Sequence, residues 1–109
     1  ETAVPRRGPD KVVVLTDTWC EQEAERLVQL AKQQGRAVLL GRSTMGTLDY
    51  TNPVLVEYDE FSFTYPISRT AASLEGRGVD ERGVQPDVLV PWTPDECTMD
   101  VLAEKARTL

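Results

Sequence analysis

VVVLTDTWCEQEAERLVQLAKQQGRAVLLG, residues 12–41, decides how this chain folds. Its opening run, Val12-Val13-Val14-Leu15-Thr16, is β-branched and apolar on both faces, the pattern of a buried strand. Thr18 followed three residues later by Glu21 has the spacing of a capping box, so a helix is expected over residues 21–34. Ala24, Leu27, Val28 and Ala31 recur at helical spacing as its core face. Glu21, Glu25, Arg26, Gln29, Lys32 and Gln33 are assigned to its surface. Gly35 stands where a left-handed C-cap is needed, and residues 37–41 read as a second buried strand. Strand, helix and strand together make a βαβ unit with parallel pairing.

Outward from this unit the pattern changes. Val54 to Tyr58 and Phe61 to Pro66 flank Asp59-Glu60 as the two arms of a hairpin. Residues 71–83, with Gly76, Gly78 and Gly83 set among charges, read as a long surface loop. That loop lacks a Lys-Ser/Thr pair and a following helix, so it is no nucleotide cradle. Val88-Leu89-Val90 is a short strand after Pro86-Asp87. Thr93-Pro94-Asp95-Glu96 has the composition of a helix start, and a closing helix to about Arg107 is expected to bury Cys97, Val101, Leu102 and Ala106. The class is α/β with a mixed sheet. Residues 1–10 are expected to be a flexible tail, and residues 11–109 a single domain.

Composition narrows the chemistry. A mean hydropathy of −0.34 is that of an ordinary soluble chain, and no apolar run approaches the roughly 20 residues needed to cross a bilayer. Residues 1–9, ETAVPRRGP, contain neither an initiator Met nor an apolar signal core, so the chain reads as part of a longer or processed product. A net charge of −6, with scattered basic residues, argues against nucleic acid as a partner. Cys20 and Cys97 form no metal-type pair and no disulfide framework; two separate buried thiols are expected, with a single bridge as the alternative. There is no histidine. A Ser-His-Asp triad, a Cys-His pair and a His-bearing zinc site are therefore impossible within this chain alone. No metal and no cofactor is expected.

Two further stretches follow residues 12–41: GRSTMGTLDY at 41–50 and GRGVDERGVQPDVLVPW at 76–92. In order and spacing, the three resemble the C-terminal processing, or tail-specific, serine peptidases and their tricorn-like relatives. In that family a strand ending in Leu-Thr-Asp leads through a turn to the nucleophilic Ser, on a helix that carries a Glu three residues later. The second stretch resembles the family's Gly-Glu-Thr-Thr-x-Gly-Lys loop, and the third its Gly-x-Gly-(Ile/Val)-x-Pro-Asp segment. The likeness covers residues 11–92. It implies a partial peptidase core of the ClpP/crotonase-like type: a βαβ unit, a hairpin and a C-terminal helix.

Carried over residue by residue, the resemblance puts Gln22, three before Glu25, at the serine-equivalent position. It puts Thr47, after Gly46, at the lysine-equivalent position of the Ser-Lys branch. The tricorn-like branch uses a His, a second Ser and a Glu instead; its His and second Ser would precede this chain, and Glu75, Asp80 and Glu81 are candidates for the acid. Thr16, Thr18 and Cys20 do not fit the register. Cys20 near a helix N-terminus also lacks a base. Acyl transfer needs an oxygen or sulfur nucleophile, and a carboxamide is neither, although Gln offers two donors and an acceptor for holding a peptide. The resemblance sets Glu23, Gly46, Asp49 and Tyr50 beside the substrate; Asp49-Tyr50-Thr51-Asn52 reads equally as turn chemistry. Trp19 and Trp92 mark a peptide groove or pack a core edge.

The expectation is a serine-type peptidase domain by family, catalytically inactive in this chain and acting as a peptide-binding or assembly module. The alternative is an active tricorn-like peptidase whose catalytic residues come from outside these 109 residues. Expected partners are unfolded polypeptide, the missing N-terminal part of the same protein, and further copies of the chain. The family resemblance points to an extracytoplasmic location and leaves a cytoplasmic one open.

Overall fold

The structure, a computed structural model, describes residues 8–109; most of the expected tail, residues 1–7, lies outside them. β1 (Val12–Thr16) runs parallel to β2 (Ala37–Gly41), with Val12 opposite Ala37 and Thr16 opposite Gly41. Between them comes α1 (Glu23–Gln34), closed by Gly35 in the left-handed region at φ 64°. β5 (Val88–Leu89) adds to the other side of β2, also parallel, giving the order β1-β2-β5.

β3 (Tyr50–Glu57) and β4 (Ser62–Arg69) form a separate antiparallel hairpin. Parallel and antiparallel pairing, expected within one mixed sheet, are thus divided between two sheets.

The core explains why β2 reads as continuously apolar. Leu39 and Leu40 point to opposite faces of the sheet and both are fully buried. Leu39 packs with Val28, Leu48, Val79 and Val84, and with Val14 and Ala31 at the margin. The closing helix, α3 (Val101–Arg107), contacts β1 and β2. Asp87 ties the Pro-Asp segment to the centre of the sheet: its carboxylate accepts from the Leu39 amide at 2.9 Å, and its own amide donates to the Leu39 carbonyl at 2.8 Å.

Several expectations need correction. The Thr18–Glu21 capping box does not form; Trp19 N donates to Asp17 Oδ1, the chain turns over residues 17–20, and α1 begins two residues late. The buried face of α1 is rotated from the apolar stripe, because Glu25 and Val28 are buried while Leu27 is 64% exposed. Residues 71–83 are not all loop: Thr70 caps a short helix α2 (Ala71–Leu74), and Val79 is buried.

The closing helix is broken. A 3-10 turn at Pro94–Cys97 ends at Thr98, and α3 starts afresh from Asp100, whose side chain caps Ala103 N. Neither thiol is fully buried: Cys20 is half-buried, Cys97 is exposed, and both are free. Trp19 and Trp92 are exposed, so neither packs a core edge.

The assembly is open. Its radius of gyration is 17.7 Å, whereas a compact chain of this length has about 13 Å. Beyond pairing with each other, β3 and β4 make little contact with any other helix or strand. No helix among the described residues is long and apolar enough to cross a membrane.

Candidate functional site

The turn after β1 delivers the chain to Gln22 in an unusual state. Its backbone lies at φ 49° and ψ −113°. For a residue with a Cβ, such a conformation costs about 1–3 kcal/mol and needs surrounding contacts to hold it. Those contacts come from the loop after β2. Gln22 N donates to Thr47 Oγ1 at 3.2 Å, and Gln22 Nε2 donates to the Thr47 carbonyl at 3.0 Å. Met45 N donates to the Cys20 carbonyl at 2.9 Å and pins the turn just before the helix.

Glu25, assigned to the helix surface from its charge, is instead fully buried and holds this loop. Its Oε1 accepts from Thr44 Oγ1 at 2.6 Å and from Gly46 N; its Oε2 accepts from Thr47 N at 2.7 Å and Thr47 Oγ1 at 3.1 Å. A chain of donors therefore runs from Gln22 N through the Thr47 hydroxyl to the Glu25 carboxylate. Burial alone would raise the pKa of Glu25. The hydrogen bonds from Thr44, Gly46 and Thr47 outweigh it and hold the carboxyl below its ordinary value of 4.5. Gly46 sits at φ 84°, and a Cβ there would lie 2.7 Å from the Val79 carbonyl. Only glycine lets the loop pass this close.

Thr44 extends the network. Its hydroxyl accepts from Val84 N at 2.7 Å while donating to Glu25, which joins the loop to the segment before β5. Sequence reasoning missed both Glu25 and Thr44 as organising residues. The available signal was the spacing itself: a Glu one helical turn past the strand-to-helix junction, paired with a Thr-x-Gly loop whose amides need an acceptor.

The residues singled out from sequence separate into two groups. Gln22, Gly46 and Thr47 come together as described, and Tyr50 joins Gln22 in lining a groove of about 420 Å³ with Pro53, Thr64, Tyr65 and Pro66. Asp49 is buried on other business: its Oδ2 accepts from Val79 N at 2.6 Å and Asp80 N at 2.7 Å. That is the loop-fixing role of a turn carboxylate. Glu23 is exposed in the first turn of α1.

Among the candidate acids, Glu75 pairs with Arg77. Asp80 and Glu81 line a separate polar hollow with Asp49, Arg69 and Arg82. None of the three hydrogen-bonds to Gln22 or Thr47 among the described residues. Among the described residues Cys20 Sγ makes one hydrogen bond, donated to Asp17 Oδ1 at 3.9 Å. No cluster of His, Cys, Asp and Glu fit to hold a metal ion occurs among the described residues.

A second polar feature stands at the carboxyl ends of β1 and β2. Arg42 and Glu96 make a two-pronged ion pair at 2.6 and 3.0 Å, each side chain less than a fifth exposed. The bidentate contact with Arg42 lowers the pKa of Glu96 and raises that of Arg42. It fixes the 3-10 turn to the sheet.

Two comparisons with known proteins bear on the family and the fold. A sequence model of peptidase family S41 matches residues 2–90. The solved structure of a photosystem II D1 C-terminal processing protease is similar in fold, with a TM-score of 0.54 at 23% identity. The similarity covers 73% of this chain and 20% of that protein, so the chain corresponds to about a fifth of the protease's length.

Proposed function

The chain belongs to peptidase family S41 and is a peptidase-like domain, and from that membership we propose that it carries a degenerate peptidase site, one that keeps the backbone of the nucleophile turn but not the reagent. One observation carries the reading. Gln22, the residue that the family register sets at the serine, is also the residue held at φ 49° between strand and helix. Sharp, strained strand-to-helix turns serve to present a nucleophile. Here the turn presents a carboxamide, which cannot be acylated.

Thr47, at the lysine-equivalent position, cannot act as a general base at neutral pH; its hydroxyl instead bridges the Gln22 amide and Glu25. What remains is recognition. The groove beside Gln22, with Tyr50, Tyr65, Pro53 and Pro66 on its walls, offers apolar surface next to a side-chain amide. That combination suits an extended, unfolded polypeptide. In this reading the chain holds such a segment without cutting it.

The test is fluorescence anisotropy of a labelled unfolded polypeptide titrated with the complete protein, run beside a cleavage assay on the same substrate. Saturable binding without turnover, weakened by Tyr65→Ala, supports the reading. Turnover by the unaltered protein would restore the tricorn-like alternative, with a nucleophile supplied from outside the 109 residues. Absence of both activities would leave the groove without a function.

A further inference from the structure

The hairpin bears a face that nothing among the described residues covers. Its register sets Val54 opposite Tyr65 and Val56 opposite Phe63. Alternation along the strands places Tyr58, Phe61 and Ile67 on that same side. The rings form a continuous ladder, with centroids 4.8 Å apart for Tyr58–Phe61, 6.2 Å for Tyr58–Phe63 and 5.9 Å for Phe63–Tyr65. Phe61 is 61% exposed and Ile67 63%. No charged residue falls on this side between Val54 and Ile67, whereas the other side carries Glu57, Ser62, Thr64 and Ser68. An isolated two-stranded hairpin is marginal in water, so a face of this composition calls for a cover.

We propose that the cover is the same face of a second copy of this chain, with the two hairpins stacked antiparallel about a two-fold axis. Two arguments select this occupant. The first is area. Tyr58, Phe61, Phe63, Tyr65 and Ile67 are each about half exposed, which amounts to roughly 500 Å² per copy at 150–250 Å² for a buried aromatic. Two copies would bury about 1,000 Å², the lower bound for a specific interface.

The second argument is charge. The hairpin tip carries Asp59 and Glu60, and its root carries Arg69 on the aromatic side, 5.7 Å from the centroid of the Tyr50 ring. Antiparallel stacking sets each acidic tip against Arg69 of the other copy. Parallel stacking would set tip against tip and Arg69 against Arg69. Tyr65 is shared with the groove beside Gln22, so the interface is read through Phe63 and Arg69, which do not line that groove.

The experiment is sedimentation equilibrium of the complete protein across micromolar concentrations. A dimer is expected, with Phe63→Asp raising its dissociation constant at least about tenfold and leaving the circular dichroism of the monomer unchanged. Asp59 and Glu60 sit in the turn and make no side-chain hydrogen bond or ion pair among the described residues, so a double change to Lys tests the charge argument without disturbing the packing. The Asp59→Lys/Glu60→Lys variant and the Arg69→Glu variant should each associate weakly alone, and their mixture should regain a dimer. A monomer at every concentration would overturn the proposal, because the face would then be covered by other parts of the same protein or left to water. So would a dimer indifferent to Phe63→Asp, or a mixture that fails to recover.

Discussion

Around Glu25 every polar atom has a partner; along β3 and β4 an apolar face has none. The first region is a buried carboxylate that accepts four hydrogen bonds from Thr44, Gly46 and Thr47. The second is a stacked row of aromatic rings about half open to solvent. Buried polar groups are costly unless they are fully paired, so the Glu25 network fixes a single geometry at the turn that holds Gln22. Apolar surface has no such directionality, and it is satisfied by whatever excludes water. One region is complete within the chain, and the other is completed by contact.

The widest test of that contrast is to remove the carboxylate. Glu25→Ala would strand the Gly46 and Thr47 amides and the Thr44 hydroxyl in a buried site, costing about 4 kcal/mol. Urea denaturation reads this directly, and a loss below about 1 kcal/mol would mean the loop holds itself.

Acid should act on the same junction. The folded pKa of Glu25 lies below 4.5, so its stabilising contribution is fully present above pH 4.5 and is lost as the pH falls through the lower folded value. Glu96, lowered by Arg42, acts with the same sign. Thermal melts between pH 6 and 3 should show stability falling on the acid side, with a shallower fall in Glu25→Ala. Equal slopes would contradict the assignment.

A smaller effect is expected at Gln22. Gln22→Gly relieves the strain of a positive φ and gives up the bond from Nε2 to the Thr47 carbonyl. Strain relief is offset by the lost bond and by glycine's freer unfolded chain, so the net should lie within about 1 kcal/mol of zero; a loss above about 2 kcal/mol would show that the turn is not strained.

The smallest effect belongs to the hairpin. In dilute solution, Phe63→Asp should move the unfolding of the β1-β2-β5 layer by less than about 0.5 kcal/mol, because β3 and β4 lean on little but each other. A larger shift would mean that the hairpin supports the layer.

The parts legible in the sequence were those governed by periodicity. The apolar runs at Val12–Thr16 and Ala37–Gly41, the Gly35 cap and the hairpin around Asp59-Glu60 fell where pattern rules put them. The parts that were not legible depend on contacts between distant segments. Glu25 reads as a solvated charge until the amides of residues 46 and 47, some twenty positions on, come to meet it. Leu27 reads as core because its periodicity is right, yet the helix turns its carboxylate face inward and leaves Leu27 exposed. The break between Pro94–Cys97 and Val101–Arg107 is hidden because Thr93-Pro94 already reads as a helix start, and the residues after it continue a helical pattern through Asp100. Of the site, counting along family motifs set Gln22 and Thr47 at the serine- and lysine-equivalent positions, but the hydrogen bonds between them are seen only in the structure. The same holds for the strain at Gln22, since backbone angles leave no mark on composition.

The measurement that bears most directly on the central claim is covalent labelling of the complete protein with a fluorophosphonate, followed by cleavage of an unfolded protein substrate, for the unaltered chain and for Gln22→Ser with and without Thr47→Lys. A scaffold that has lost nucleophile and base together predicts no labelling and no cleavage in the unaltered protein, and labelling at residue 22 only where Thr47→Lys accompanies Gln22→Ser. Labelling or cleavage by the unaltered protein would contradict the account, because a working nucleophile would then lie somewhere other than the turn that Gln22 occupies.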